Sequence, residues 1–465
     1  MLGIKRSLER IGYIIKLKKY KLKKKFLIGI SILLINLQAV VLAQNPILVG
    51  WADPATQVWD GKMYMAVGKD RTPGLKHFEM TQWAIYSSED LMNWKLETDI
   101  LPEQTYLGEG YEGCWASDIT KKDDKFYFYF SNKNTATGVL VSEKADGQYM
   151  DVLQKPLVPA DLTINNEYDP TVFTDDDGQR YLIMGRDGMR GKDLVHYQIA
   201  RLHEDMVSLA EMPRDIITDR KYGFGTERTA PDHSYFHKYQ DIYYLSLGST
   251  YATSKNIYGP YTNFRNAGLG LNHSSFTEFN GQWYHAYNTF VDPRDPRYRQ
   301  VEFTYLHYKD NGDMIDDMDF AVGGKHYDTG VGNYNVEWDT IEGEWFFRKS
   351  AEVLKKENHH AGFELQNLRN NSYVNFPNIK EIPVNSSINF KVASTVDRAK
   401  IEVHQGSPSG EILGSCNIPN TGSFTEYKVA SCKLKNTSGV KDLYFVVKGS
   451  KDQELLRLDW FNFSN

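Results

Sequence analysis

The sequence predicts an all-β chain: a five-bladed β-propeller followed by a β-sandwich (jelly-roll) domain. Three observations predict it. Beyond residue 44 helical periodicity is scarce, and short aromatic and β-branched runs bounded by Gly, Asp and Asn dominate. Five segments then repeat one pattern of apolar strand, tight turn and aromatic strand: WADPATQVWDGKMYMAV, CWASDITKKDDKFYFYFS, EYDPTVFTDDDGQRYLIMG, PDHSYFHKYQDIYYLSLG and NHSSFTEFNGQWYHAYN. Finally, from Ile341 onward the runs alternate apolar and polar residues, as the strands of a sandwich do.

Element by element, residues 1–43 come first. Lys and Arg crowd positions 5–25, and the apolar run FLIGISILLINLQAVVLA follows and ends on Ala43. This order reads as a signal peptide and predicts a secreted or periplasmic protein with no stable membrane insertion after cleavage. The propeller is expected over 44–328, a linker over 329–340 and the sandwich over 341–465. The net charge of −6 argues against a strongly basic nucleic-acid binder. An aromatic content of 13% suits strands and surfaces that stack on flat ligands. Of three cysteines, Cys416 and Cys432 can pair across neighbouring strands in an exported protein, leaving Cys114 as a small buried hydrophobe.

A propeller brings the start of each blade's innermost strand toward the axis, so equivalent repeat positions should line one cavity. Counting back eight or nine residues from the second turn residue of each repeat reaches Asp53, Trp115, Asp169, Asp232 and His273. Asp53 and Asp169 both precede proline, which is expected to hold Asp53 in an extended backbone. Glu227 competes with Asp232 as an acid, although it falls outside the register. His233 is a third, weaker candidate. Converging carboxylates suit glycosidic hydrolysis. One protonates the leaving oxygen and another activates water, about 6.5–9.5 Å away in inverting enzymes. Trp115 would stack on a sugar ring, His273 would bind substrate or an ion, and Arg299 would bind a substrate hydroxyl or form an exposed ion pair. The run Asp175-Asp176-Asp177 reads as a solvated hairpin tip.

These motifs resemble glycoside hydrolase family 43. NPILVGWADPATQVWDGKMYM is similar to that family's entry strand, CWASDI to its Trp-Ala-Pro-Asp motif with Ser117 in place of Pro, EYDPTVFTDDDGQRYLIMG to its second Asp motif and NHSSFTEFNGQWYHAYN to its His-bearing last blade. The resemblance implies an inverting glycosidase acting on arabinofuranosyl, xylosyl or galactosyl units of plant-type polysaccharides or oligosaccharides. Asp53 would be the general base, Asp169 would modulate the pKa of the acid, and an axial calcium or sodium ion would lie near His273. The family's acid is usually Glu six residues before Lys. Here Asp232 stands six before Lys238, so either Asp232 or Glu227 carries the role, or the chain is a sugar-binding propeller that has lost its acid. The C-terminal unit resembles a family 6 carbohydrate-binding module, with IEGEWFF, TGSFTEYKV and LLRLDWFNF as its motifs. That likeness implies structural calcium ligands at Glu342, Glu344 and Asp459, and sugar stacking at Phe424.

Overall fold

The computed structural model describes residues 41–42, 45–160, 162–163, 166–187, 197–221, 223–224, 233–268, 273–320, 326–358, 360, 362–435, 439–450 and 453–464. The expected signal segment lies outside them except for Val41–Leu42. Five antiparallel sheets form the propeller. The first blade runs through Trp51–Trp59, Lys62–Asp70, Met80–Ser88 and Asn93–Ile100, and the second through Ser117–Lys122, Lys125–Asn132 and Ala136–Ser142. The third holds Asn166–Thr174, Arg180–Asp187, Gln198–Arg201 and Arg214–Asp215, and the fourth Tyr235–Tyr239, Ile242–Leu247, Thr250–Ser254 and Thr262–Asn266. Ser274–Phe279, Gln282–Phe290 and Arg299–Tyr308 make the fifth. Its next strand, Leu48–Val49, comes from before the first blade and pairs Leu48 with Val301.

The five inner hairpins turn where the repeat predicted. Asp60 and Gly61 sit at φ 51° and 74°, and Asn280 and Gly281 at 56° and 81°. The two turns without glycine place Asp123 (φ 53°) and Gln240 (φ 55°) in the same left-handed region.

Each pair of neighbouring blades shares an apolar core, and the pairs close a ring. Trp83 meets Phe130 at 5.1 Å between blades one and two, and Phe173 meets Phe236 at 4.9 Å between three and four. Tyr129, Val172 and Leu182 join blades two and three, while Tyr235 and Phe276 join four and five. Trp94 and Phe303, 5.4 Å apart, close five onto one. Each such ring, fully buried, contributes on the order of 2 kcal/mol of transfer free energy.

The sandwich faces Phe376 and Phe445 of one sheet against Phe390 and Phe461 of the other, with Phe376–Phe461 and Phe390–Phe445 centroids 4.7 and 4.8 Å apart. Cys416 and Cys432 form a disulfide between Glu411–Asn417 and Lys428–Lys433, strands of opposite sheets, and Cys114 is buried. The expected linker, residues 329–340, is packed: Val331, Tyr334 and Val336 are buried in one core with blades one and five and the sandwich, and Tyr334–Asn335 adds a parallel strand beside Tyr373–Ile382. The apolar side chains of this stretch bind it to both neighbours. Gln282 reinforces the seam, its Nε2 donating to the carbonyls of Glu344 (2.6 Å) and Phe346 (3.2 Å).

Candidate active site

The first strands of blades one and three each carry an Asp-Pro pair at a β-bulge, the register shifting between Ala52 and Ala55 and between Tyr168 and Thr171. Asp53 and Asp169 occupy these bulges at φ 58° and 49°. The extended backbone expected for Asp53 is therefore wrong. The following proline disfavours the right-handed helical region, and the bulge supplies the left-handed one, which Asp tolerates better than most residues. The proline has no N–H to leave unpaired at the irregular position. Two strained loci thus aim carboxylates at one place.

That place is a cavity of about 410 Å³ lined by Asp53, Trp115, Asp169, His273 and Arg299, with Phe78, Met80, Asn134, Asn288, Phe290 and Pro296 around them. Four of the five register positions meet there. The fifth, Asp232, and its rival Glu227 lie outside the described residues.

Buried polar contacts fix the lining. The Asp53 N–H donates to Asn288 Oδ1 at 3.3 Å, and Asp53 Oδ1 accepts from Arg299 Nη1 at 2.6 Å. His273 Nδ1 stands 3.5 Å from the same oxygen. Arg299 is 7% exposed, so the surface ion pair considered from the sequence is excluded. The repeat pattern could not show that Asp70, at the end of the first blade's second strand, also grips it. Ser131 Oγ donates to Asp169 Oδ1 at 2.7 Å and accepts from the Asp169 N–H at 2.6 Å. The Trp115 carbonyl accepts from Trp83 Nε1 at 2.6 Å, which fixes its backbone. His233 is buried and stacks on His273 with centroids 4.8 Å apart; its Nε2 lies 3.3 Å from Thr171 Oγ1.

Three residues further along the inner strands, polar contacts cross the axis. Thr56 Oγ1 meets Ser275 Oγ and Thr277 Oγ1 at 2.8 and 2.7 Å, and Tyr235 donates to the Thr56 carbonyl at 2.9 Å. Asp118, wholly buried, accepts from the N–H groups of Val172 and Ile119 at 2.8 Å, and burial raises its pKa to about 7. The hairpin tip at Asp175–Asp177 is less free than expected: Lys238 bonds Asp175 and Asp176 at 2.8 Å and clasps blade four to blade three.

In the sandwich, Glu342 and Glu344, on either side of Gly343, are acids whose pKa values burial raises, with further raising from Asp459 for Glu342 and from Glu342 for Glu344. Glu344 Oε2 is buried without a hydrogen-bond partner. Asp459, however, is engaged by Lys391 Nζ at 2.7 Å. Among the described residues no three His, Cys, Asp or Glu side chains are arranged to hold a metal, at the expected module site or near His273. Phe424 is half-buried and has the Arg457 guanidinium 4.7 Å over its ring, so one stacking face is taken.

Comparison with known proteins agrees with this geometry. The model of glycosyl hydrolases family 43 matches residues 43–314, and that of carbohydrate binding module family 6 matches residues 342–465. The chain belongs to glycosyl hydrolases family 43, and carries a family 6 carbohydrate-binding module. It is a glycoside hydrolase acting on O-glycosyl bonds, with carbohydrate as its partner. A "Xylosidase/arabinosidase" of Bacteroides ovatus is 30% identical over 316 residues, covering 57% of this chain and 94% of that protein. An "Arabinoxylan arabinofuranohydrolase" of Bacillus subtilis (strain 168) is 25% identical over 483 residues, covering 89% and 90%. The crystal structure of a Bacillus subtilis arabinoxylan arabinofuranohydrolase in complex with cellotetraose shares the fold, with a TM-score of 0.50 at 22% identity over 92% of this chain and 99% of that one. A GH43 beta-xylosidase/alpha-arabinofuranosidase from a compost metagenome, solved calcium-free, reaches 0.50 at 24% identity over 59% and 96%. Among the described residues no helix is long and apolar enough to cross a membrane.

Proposed function

We propose that this hydrolase removes arabinofuranosyl or xylosyl units from arabinoxylan-type chains by an inverting mechanism with Asp53 as general base. The observation that carries the reading is the convergence of the two bulge carboxylates, Asp53 and Asp169, on one cavity with Trp115 and Arg299. With Arg299 on Oδ1, Asp53 Oδ2 takes a proton from water. The water oxygen bonds to the anomeric carbon as the glycosidic C–O bond breaks, and the leaving oxygen receives a proton from an acid in segment 225–232, Asp232 or Glu227. Asp169 orients that acid and raises its pKa by like charge. Trp115 and His273 flank the sugar.

Export through the 1–43 segment fits a polymeric substrate. In the module, Glu342 and the orphaned Glu344 oxygen fit a hard cation such as calcium, which supplies charge compensation there and no chemistry at the cavity. Stacking at Phe424 is confined to the face away from Arg457.

The test is hydrolysis of nitrophenyl α-L-arabinofuranoside, β-D-xyloside and galactosides, and of arabinoxylan, by the wild type and by Asp53→Ala. Release of a single pentose that falls by three or more orders of magnitude in the variant is expected. Silence of the wild type with arabinoxylan binding intact would instead favour a sugar-binding propeller.

A further inference from the structure

Arg299 offers a single positive charge to two buried carboxylates. Asp70 Oδ2 accepts from the Arg299 backbone N–H at 2.8 Å and from Nε at 3.1 Å, while Oδ1 accepts from Nη2 at 2.8 Å. Nη2 also points at Met80 Sδ, 3.1 Å away, and Nη1 is the atom that reaches Asp53. Two bonds therefore fix the guanidinium to Asp70, a third ties the Arg299 backbone to it, and one guanidinium bond reaches Asp53. Asp70 and Asp53 are 2% and 3% exposed, so the charges act through a poorly screening interior. Asp70 ends a strand of the first blade and Arg299 begins one of the fifth, which places the clamp across the joint where the ring closes.

We propose that Asp70 is a positioning residue for the hydrolysis: it locks the Arg299 guanidinium in the pose that meets Asp53, and it shares the arginine charge so that Asp53 remains a competent base. This rests on the reading of Asp53 as the base. Were Arg299 to neutralise Asp53 alone, the carboxylate would hold a proton less readily and take one from water more slowly. The second negative charge divides the arginine's attraction. Among the described residues the other groups facing Asp53 include His273 Nδ1 at 3.5 Å, Asn288 at its N–H, and Asp169 on the same cavity. None of these is hydrogen-bonded to Asp70 in the described geometry, so a change at Asp70 reaches Asp53 through Arg299 and through the like charge that the two carboxylates present to each other.

The test measures the pH profile of kcat/KM for the full chain on the nitrophenyl pentoside it cleaves, with Asp70→Asn, Asp70→Glu and Asp53→Ala. Asp70→Asn is close in shape and loses the charge. It is expected to lower kcat by up to roughly 100-fold, through the loosened guanidinium. It should also move the acid limb of the profile to lower pH, because a like charge near Asp53 is gone. Asp70→Glu keeps the charge one methylene away. Its kcat should fall while its acid limb stays at the wild-type pH, a result that stands even if Asp70→Asn does not fold. A purely structural role would lower activity in step with the unfolding midpoint and leave the limb unmoved in Asp70→Asn, which would overturn the inference. A limb that moves in Asp70→Glu would overturn it too. Full turnover in Asp53→Ala marks a different failure, that of the base assignment itself.

Discussion

The Ser131 hydroxyl holds Asp169 at both ends, donating to its carboxylate at 2.7 Å and accepting from its N–H at 2.6 Å. One side chain of the second blade thereby fixes both the bulge and the carboxylate of the third. Replacing Ser131 by Ala leaves a buried acceptor and a buried donor without this partner, at a cost of about 1–3 kcal/mol. If Asp169 tunes the acid as proposed, Ser131→Ala should also lower kcat by roughly ten-fold or more, since misaligned groups lose rate steeply. Steady-state kinetics beside a denaturant titration separates the two effects. Unchanged kcat with lowered stability would remove Asp169 from the mechanism.

Asp118 gives a pH dependence of stability with a definite sign. Burial raises its folded pKa to about 7, above the ordinary 3.8, so the folded chain retains a proton that the unfolded chain releases. Its stabilising contribution is fully present below about pH 4 and is lost as pH rises through 7. By linkage the loss is at most about 4 kcal/mol, at about 1.4 kcal/mol per unit. Asp118→Asn cannot titrate. Its stability relative to the wild type should therefore improve between pH 5 and pH 8, whatever constant cost the lost N–H acceptor imposes. Urea titrations at both pH values check this, and a difference that does not change with pH contradicts it.

Calcium should act on the sandwich rather than on the cavity. Calcium at a hundred times its dissociation constant is expected to stabilise the wild type by about 2.7 kcal/mol, read as a raised unfolding midpoint. Chelation should reverse this. Glu344→Gln, which removes the buried unpaired oxygen's charge, should abolish most of the gain while pentoside turnover persists. Equal midpoints with calcium and with chelator would eliminate the site.

Much of the cavity was legible because a propeller converts sequence register into position. Asp53, Trp115, Asp169 and His273 line one cavity although they are spread over more than two hundred residues. Asp70, Ser131 and Asn288 were not legible. They act from second strands, where an isolated polar residue in an aromatic run carries no motif, and their partners lie on other strands or blades. The left-handed backbone at both Asp-Pro pairs was also missed. Local proline sterics point to an extended residue, while the bulge is imposed by pairing with the neighbouring strand. The packing of the expected linker was not legible for a related reason: the partners that bury Val331, Tyr334 and Val336 lie on distant strands of both domains. Lys391, the ion-pair partner of Asp459, was not legible either, because it lies on another strand, paired with Trp460 beside that acid.

Leu48–Val49 pairs with Arg299–Tyr308, and Asn45 exchanges hydrogen bonds with Phe303 at 2.8 and 3.0 Å. During synthesis, then, a short strand that leaves the ribosome early must wait while some 250 further residues are made before its partner exists. Until that late capture Leu48–Val49 has no partner strand, and the growing chain presents its unpaired edge to any extended neighbour. At a synthesis speed of about 5–20 residues per second, the wait lasts on the order of ten seconds to a minute. Nascent chains halted before residue 299 should accordingly resist proteolysis less at their beginning than in the middle blades.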